Sequence, residues 1–201
     1  RLGAIPGVAG AVFRVAGEMQ PWAVARAALA QCRASGLRVS LHVRLSRGNP
    51  GSSQADEHWV TSRAAQALFA AAAHDDLHAY LDTFADVDRG YFMRQGVVDR
   101  LYNPRPASHA LRNLGGALVR GLDSDAPARY AAAGDESAMA LVDSRGRRYD
   151  LMLDPHAQPA GEGAGCVIDL RSGERVRGER TSGGGFNPPL PHGPCLWIAN
   201  A

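Results

Sequence analysis

The chain contains no lysine, so all 22 of its basic side chains are arginines. They are spread along 201 residues and are nearly balanced by 20 acidic side chains, which leaves a net charge of +2. Nucleic-acid-binding proteins concentrate positive charge on one face or helix. The charge pattern therefore predicts no nucleic-acid partner.

Long hydrophobic runs are also missing. No stretch approaches the roughly 20 apolar residues of a membrane-spanning helix, although 45% of the residues are hydrophobic. The first residues show no signal-peptide pattern. The sequence predicts no membrane span and leaves cytoplasmic and secreted locations open.

Cysteine is scarce. Cys32, Cys166 and Cys195 lack the C-x-x-C spacing of zinc and redox sites. Buried free thiols are the favoured interpretation, and a Cys166–Cys195 disulfide is the alternative. The chain also lacks a phosphate-binding loop, a dinucleotide-binding glycine pattern and a serine nucleophile elbow. We predict no cofactor.

What the sequence does contain, over its first half, is an alternation of strands and helices. Apolar, β-branched segments alternate with segments of helical periodicity, and turn residues separate them. We predict strands at 8–15, 37–45 and 77–84 and helices at 21–36, 55–73 and 104–114. This order is typical of parallel β/α units covered by helices.

The pattern changes after residue 123. A linker-like segment at 124–127 precedes short strand signals at 138–142, 148–153, 166–170 and 195–198. We therefore predict two domains, a β/α domain at 1–123 and a small all-β sandwich at 124–201.

Three carboxylates follow the third strand, Asp82, Asp86 and Asp88. Charged acceptors bind sugar hydroxyls more strongly than neutral ones do, and chemistry in β/α barrels lies at the carboxyl ends of strands. We therefore predict that these three carboxylates bind a sugar substrate. The alternatives are that Asp86 caps a turn, that Asp88 pairs with a nearby arginine, or that Asp86 and Asp88 bind Mg²⁺ or Mn²⁺.

Polar residues also lie near the ends of the first two strands. Glu18 follows the first strand and is a candidate acid, base or hydroxyl ligand, or else a favourable charge for the next helix. His42 and Arg44 share one face of the second strand. We predict that His42 and Arg44 belong to the substrate-binding site, and we expect Arg44 to be buried and paired with Asp82.

Aromatic side chains are few, but some are placed to stack on sugars. Tyr91 lies in the loop after the third strand, and Trp22 and Trp59 lie near helix starts. Aromatic faces suit the apolar faces of pyranose rings. We expect Tyr91 to contact substrate, whereas Trp22 and Trp59 are better explained by helix packing.

The segment at 80–114 resembles the last strand and helix of clan A glycoside hydrolases, most nearly family 39. That family has W-T-F-x-D in the eighth strand, G-G-F-G-L in the next loop and K-P-x-x-x-A-L in the helix. The corresponding residues here run from Asp82 to Asp88, from Gly90 to Val98 and from Arg105 to Leu111, although the strand tryptophan is absent.

The resemblance implies a fold and a substrate class. The β/α domain would be the last three units of a (β/α)8 TIM barrel, and the C-terminal region would be an accessory β-sandwich. A complete barrel takes roughly 250 residues, so we expect about five units upstream of Arg1, with a smaller open sheet as the alternative. The expected partner is a polysaccharide or oligosaccharide.

The same resemblance predicts that catalysis is incomplete. Retaining enzymes of this clan use two glutamates about 5 Å apart, one after the fourth strand and one ending the seventh. The first would lie upstream of Arg1, and the segment at 40–46 carries His42 and Arg44 but no glutamate. The predicted function is therefore a glycoside-hydrolase-like protein that hydrolyses or binds O-glycosidic compounds. The alternatives are a non-catalytic carbohydrate-binding or scaffold protein and a metal-dependent transferase.

Overall fold

A computed structural model of the chain describes residues 7–45, 53–86, 95–120, 129–133, 138–154, 163–180, 186–187, 189 and 191–200. Its helices are α1 (Pro21–Arg33), α2 (Ser53–Ala72) and α3 (Pro106–Arg120). Its strands are β1 (Gly10–Val15), β2 (Arg38–Arg44), β3 (Leu77–Asp82), β4 (Tyr130–Ala132), β5 (Ala140–Asp143), β6 (Arg148–Met152), β7 (Ala164–Asp169), β8 (Arg175–Arg180), β9 (Phe186–Asn187) and β10 (Cys195–Ala199).

The first three strands form a parallel sheet in the order β1-β2-β3. Parallel neighbours need a crossover connection, which α1 and α2 provide. The strand–helix alternation predicted from the sequence is confirmed. The strands make an open sheet among the described residues, so the fold is a mixed α/β fold with a parallel sheet of three strands.

The two faces of this sheet differ in exposure. In β2, Val39, Leu41 and Val43 are fully buried, whereas Ser40 and His42 on the other face are partly exposed. Side chains alternate between faces along a strand, and the helices cover the face of the buried valines and leucine. The opposite face lies open.

Helix boundaries follow local signals in the chain. Pro21 occupies the first turn of α1, where its fixed φ suits a helix and its missing N–H costs nothing. The chain leaves α1 through Gly36, whose φ of +62° is readily adopted only by a residue without a Cβ. Helix α2 is buried on every side over residues 60–67. It therefore lies at the centre of the helix layer.

The remaining seven strands form one antiparallel sheet in the order β4-β5-β6-β10-β7-β8-β9. The predicted hairpin is confirmed, since β5 and β6 pair across a turn whose Gly146 has a φ of +81°. The predicted sandwich of four or five strands is not what these strands form. They belong to one hydrogen-bonded sheet. The helices, rather than a second β-sheet, pack against it.

A single core joins the two sheets. Leu41 of β2, Leu114 of α3 and Leu196 of β10 belong to the same cluster of buried side chains. The Asn113 amide donates to the Leu170 carbonyl (2.9 Å), and the Tyr130 hydroxyl donates to the Leu118 carbonyl (2.6 Å). The helices therefore lie between the two sheets, and α3 is bonded directly to the antiparallel part.

The three cysteines are free thiols, as predicted, but only Cys32 and Cys195 are buried, and Cys166 is partly exposed. Cys195 is fully buried in β10, and burial raises the pKa of its thiol to about 12. Within the described residues, no helix is long and apolar enough to cross a membrane.

Candidate functional site at the carboxyl edge of the parallel sheet

Two of the predicted site residues meet at the carboxyl edge of the parallel sheet. The His42 Nε2 atom lies 3.5 Å from the Asp82 Oδ2 atom, and both side chains are nearly half exposed. Arg44 is opposite Asp82 in the strand register. Arg44 was expected to be buried, but it is exposed, because no other element in the described part of the chain covers this face of the sheet.

A row of side chains crosses the same face of the sheet, two residues before Arg44 and Asp82 along their strands. Arg14 is opposite His42, and His42 is opposite Tyr80. Tyr80 is 60% exposed, so its ring forms part of the open surface. The row thus combines a cation, an imidazole and an accessible aromatic face beside the Asp82 carboxylate.

Arg14 and Tyr80 were not predicted as site residues. The available signal was the two-residue period of a strand, which puts Tyr80 on the face of Asp82 and Arg14 on the open face of β1. Both lie within their strands rather than at or beyond the strand ends, where the site residues were predicted.

The chain turns sharply directly after Asp82. Thr83 has a φ of +84°, a left-handed conformation that a β-branched residue rarely adopts. Strained backbone of this kind tends to occur where a side chain must be held for function. Here it directs the chain away from the sheet just beyond the His42–Asp82 pair.

A buried arginine fixes the ends of β1 and β2. Arg63 of α2 is 1% exposed, and its guanidinium donates to the carbonyls of Val15 (3.1 Å), Gly17 (3.2 Å), Met19 (2.6 Å) and Arg44 (3.0 Å). Burial lowers the pKa of Arg63, and the charge of Glu18 partly offsets that effect. Both strand ends are thereby tied to one helix.

Gln66, one turn further along α2, extends this attachment. Its side-chain amide donates to the Gln20 side-chain oxygen (2.8 Å), and its own oxygen accepts from the Trp22 backbone N–H (3.5 Å). The loop between β1 and α1 is therefore held from inside the protein. Trp22 is buried against Phe69, which confirms its predicted packing role.

Asp86 holds the segment that follows β3. Its Oδ1 atom accepts from the backbone N–H groups of Gln95 (2.9 Å) and Gly96 (2.7 Å), and its Oδ2 atom pairs with Arg105. Arg105 also pairs with Glu57 of α2 at 2.9 Å. These contacts differ from a local turn cap, because the two N–H groups lie nine and ten residues further along the chain. Both carboxylate oxygens have partners within the fold, which argues against Asp86 as a metal ligand.

The other predicted site residues are more dispersed. Glu18 is exposed in the loop after β1 and precedes the N-cap of α1, Gln20, so it is not a first-turn residue of that helix. Asp88 and Tyr91 lie outside the described residues. Among the residues that the structure does describe, no three His, Cys, Asp or Glu side chains are grouped so that they could hold a metal ion.

Comparison with known families and curated proteins found no match. The carboxyl edge of the parallel sheet is therefore the feature from which a function can be proposed.

Proposed function

We propose that this chain belongs to a glycoside-hydrolase-like (β/α)8 barrel and that it binds an oligosaccharide at the carboxyl edge of β1, β2 and β3. One observation carries the proposal. The sheet face opposite the helices bears a polar row that ends in the His42–Asp82 pair.

The polarity of the open face supports a barrel. Parallel sheets are normally covered on both faces, and in a closed barrel the face away from the helices becomes the interior. His42, Tyr80 and Asp82 would then lie at the end of the interior where substrates bind. The resemblance of residues 80–114 to the eighth unit of such enzymes agrees with this placement.

The side chains suit sugar recognition. The Asp82 carboxylate and the arginines provide charge-assisted hydrogen bonds to hydroxyl groups. The exposed ring of Tyr80 offers an apolar platform beside them. Asp82, His42, Arg44 and Tyr80 are therefore the proposed contact residues, and Glu18 lies in a loop at the same edge.

Binding without hydrolysis is the second candidate, and the composition of β2 favours it. The strand that corresponds to the seventh in the resemblance contains His42 and Arg44 but no glutamate. A retaining mechanism needs two carboxyl groups about 5 Å apart. We therefore expect no reducing-sugar release by these 201 residues alone, and measurable turnover would disprove that expectation.

The decisive experiment measures oligosaccharide binding, with a glycan array to find a ligand and calorimetry to quantify it. We expect Asp82→Asn and Tyr80→Ala to weaken binding about tenfold, since each removes a contact worth about 1.4 kcal/mol. The matched control is Asp76→Asn. Asp76 is exposed at the opposite, amino end of β3.

The outcomes are distinct. Loss of binding in the two site variants with an unchanged control supports the proposal. If no oligosaccharide binds the unmodified chain, or if Asp76→Asn weakens binding as much as Asp82→Asn does, the proposed site is wrong.

A further inference from the structure

Large apolar side chains are exposed in the segments that follow β3. Phe84 is 63% exposed, Leu101 71% and Tyr102 70%. Together with Tyr80 they make up four of the eight large hydrophobic side chains that are exposed among the described residues. Single exposed hydrophobic residues are normal, but a group of them typically marks a place where another molecule binds. Phe84, Leu101 and Tyr102 are called the apolar loop surface below.

Backbone hydrogen bonds hold the two parts of this surface side by side. The Val98 N–H donates to the Phe84 carbonyl (3.0 Å). Asp99 follows Val98 directly, and its carbonyl accepts from the Tyr102 N–H (3.0 Å). The turn at 99–103 therefore begins next to Phe84, although the two parts are well separated in the sequence.

The Asp99 side chain holds this turn in one conformation. Its Oδ1 atom accepts from the backbone N–H groups of Leu101 (2.8 Å) and Asn103 (2.8 Å), and its Oδ2 atom accepts from the Asn103 side-chain amide (2.9 Å). The hydrogen bonds from Asn103 lower the pKa of Asp99. A surface that is already ordered loses little conformational entropy when it binds a ligand.

Both parts of the surface carry backbone strain. Thr83, which precedes Phe84, has a φ of +84°, and Tyr102 has a φ of +62°. Within the described residues, these two are the only residues other than glycine with a positive φ. Strain of this kind is concentrated at functional sites. Because Tyr102 is mostly exposed, burial offsets little of the strain, and folding stability does not explain why a tyrosine occupies this turn.

The apolar loop surface is continuous with the proposed carbohydrate site. Phe84 is two residues after Asp82, so their Cα atoms are at most about 7 Å apart. Exposed aromatic rings are present on both sides of this step, Tyr80 before it and Phe84 after it. Since aromatic faces suit the apolar faces of pyranose rings, the ligand that fits both surfaces is one longer oligosaccharide.

We propose that the apolar loop surface extends the oligosaccharide site, and that sugar units beyond the His42–Asp82 pair stack on Phe84 and Tyr102. This inference rests on the proposed carbohydrate function. It adds a preference for chain length, because a long oligosaccharide contacts both the polar row and the apolar loop surface. A disaccharide at the polar row contacts the first of these alone.

Calorimetry with short and long sugars tests the preference for length. The probes are cellobiose, xylobiose and mannobiose, each compared with the hexasaccharide of the same series. We expect the hexasaccharide of at least one series to bind about tenfold more tightly than its disaccharide, because two further aromatic rings contact it. If the two lengths bind equally, this inference is wrong while the proposed carbohydrate site stands.

Tyr102→Gly separates binding from folding. Glycine adopts a left-handed φ without strain, so this variant should keep or raise the urea midpoint of unfolding. It should nevertheless weaken hexasaccharide binding about threefold, and Phe84→Ala should do the same. Disaccharide binding should not change in either variant. Tyr102→Phe keeps the ring and should bind the hexasaccharide normally.

The matched control is Val119→Ala. Val119 is also an exposed hydrophobic residue, but it lies near the end of α3, about 20 Å along the helix from Pro106. Its replacement should leave the affinity for both sugar lengths unchanged. The inference is overturned if Val119→Ala weakens hexasaccharide binding as much as Tyr102→Gly does, or if Tyr102→Gly has no effect.

Two further outcomes also overturn the inference. If none of these sugars binds, the extension is rejected, whereas the glycan array decides on the proposed function separately. If sedimentation shows a dimer that Tyr102→Gly abolishes, the apolar loop surface binds a second copy of the chain instead of a sugar.

Discussion

Arg63 shows how one side chain can organise the carboxyl edge of the parallel sheet. It is buried in α2 and donates to four backbone carbonyls, including those of Val15 and Arg44. Buried carbonyl groups are costly when they lose their donors. The guanidinium therefore contributes to stability and to the position of the β1 and β2 ends at the same time.

Replacing Arg63 with methionine should destabilise the protein by about 3 kcal/mol or more, because four acceptors lose their donor while the side-chain volume is nearly kept. Arg63→Lys should give an intermediate loss, since an ammonium has three donors and lacks the planar fork. Urea unfolding measures both effects. The control, exposed Arg112→Met, should change stability by less than about 0.5 kcal/mol, and equal midpoints for Arg63→Met and this control would contradict the assigned role.

At the scale of single elements, the antiparallel sheet depends on one close approach between strands β7 and β10. A Cβ added at Gly165 of β7 would lie 2.5 Å from the Trp197 ring and 2.5 Å from the Ile198 carbonyl oxygen. Trp197 is fully buried and cannot move aside without displacing its neighbours. Glycine is thus required where the indole crosses β7.

Two Gly→Ala changes should therefore have opposite signs. Gly165→Ala should destabilise the protein by about 1–3 kcal/mol through overpacking. Gly116 of α3 has nothing within 4 Å of its added Cβ, so Gly116→Ala should stabilise the protein by about 0.5–1 kcal/mol through helix propensity. Thermal unfolding distinguishes the two, and a stabilising Gly165→Ala would show that the strands are not packed this closely.

Elements with strong periodicity could be predicted from the sequence. Helix α1 was expected at 21–36 and spans Pro21–Arg33, because Pro21 and the apolar spacing mark it locally. Strand β8, RVRGER, was missed because it has a single large apolar residue, Val176. Strand β4 has only three residues, and β9 is shorter still. Strands of this kind are determined by their neighbours in the sheet rather than by their own composition.

The candidate site was only partly predictable, because its contacts join residues that are distant in sequence. That Asp82 and His42 lie near each other follows from neighbouring parallel strands, and the 3.5 Å distance between His42 Nε2 and Asp82 Oδ2 agrees with this. Arg44 was predicted as the partner of Asp82, and the register does place Arg44 opposite it. It was not foreseen that His42, two residues earlier in β2, also reaches the Asp82 carboxylate. Arg63 was overlooked because an arginine in a helix is normally exposed, and no pattern along α2 shows that four carbonyls surround it.

At the scale of the whole molecule, α3 links the two sheets into one structure. The predicted division between residues 123 and 124 separates two sheets that share a core cluster. Helix α3 also forms two hydrogen bonds with the antiparallel part, one donated by Asn113 and one accepted by the Leu118 carbonyl. A shared core of this kind favours cooperative unfolding of both parts. Two separate domains, in contrast, would open independently.

Native-state hydrogen exchange can distinguish one cooperative unit from two. We expect the amides of β2 and β10 to exchange with the same free energy of opening and the same dependence on urea, because both strands belong to one core. Tyr130→Phe removes the hydrogen bond to the Leu118 carbonyl and should cost about 1 kcal/mol. In a single unit this loss lowers the opening free energies of β2 and β10 equally. If Tyr130→Phe lowers that of β10 and leaves β2 unchanged, the two sheets unfold separately and the division near residue 123 is a true domain boundary.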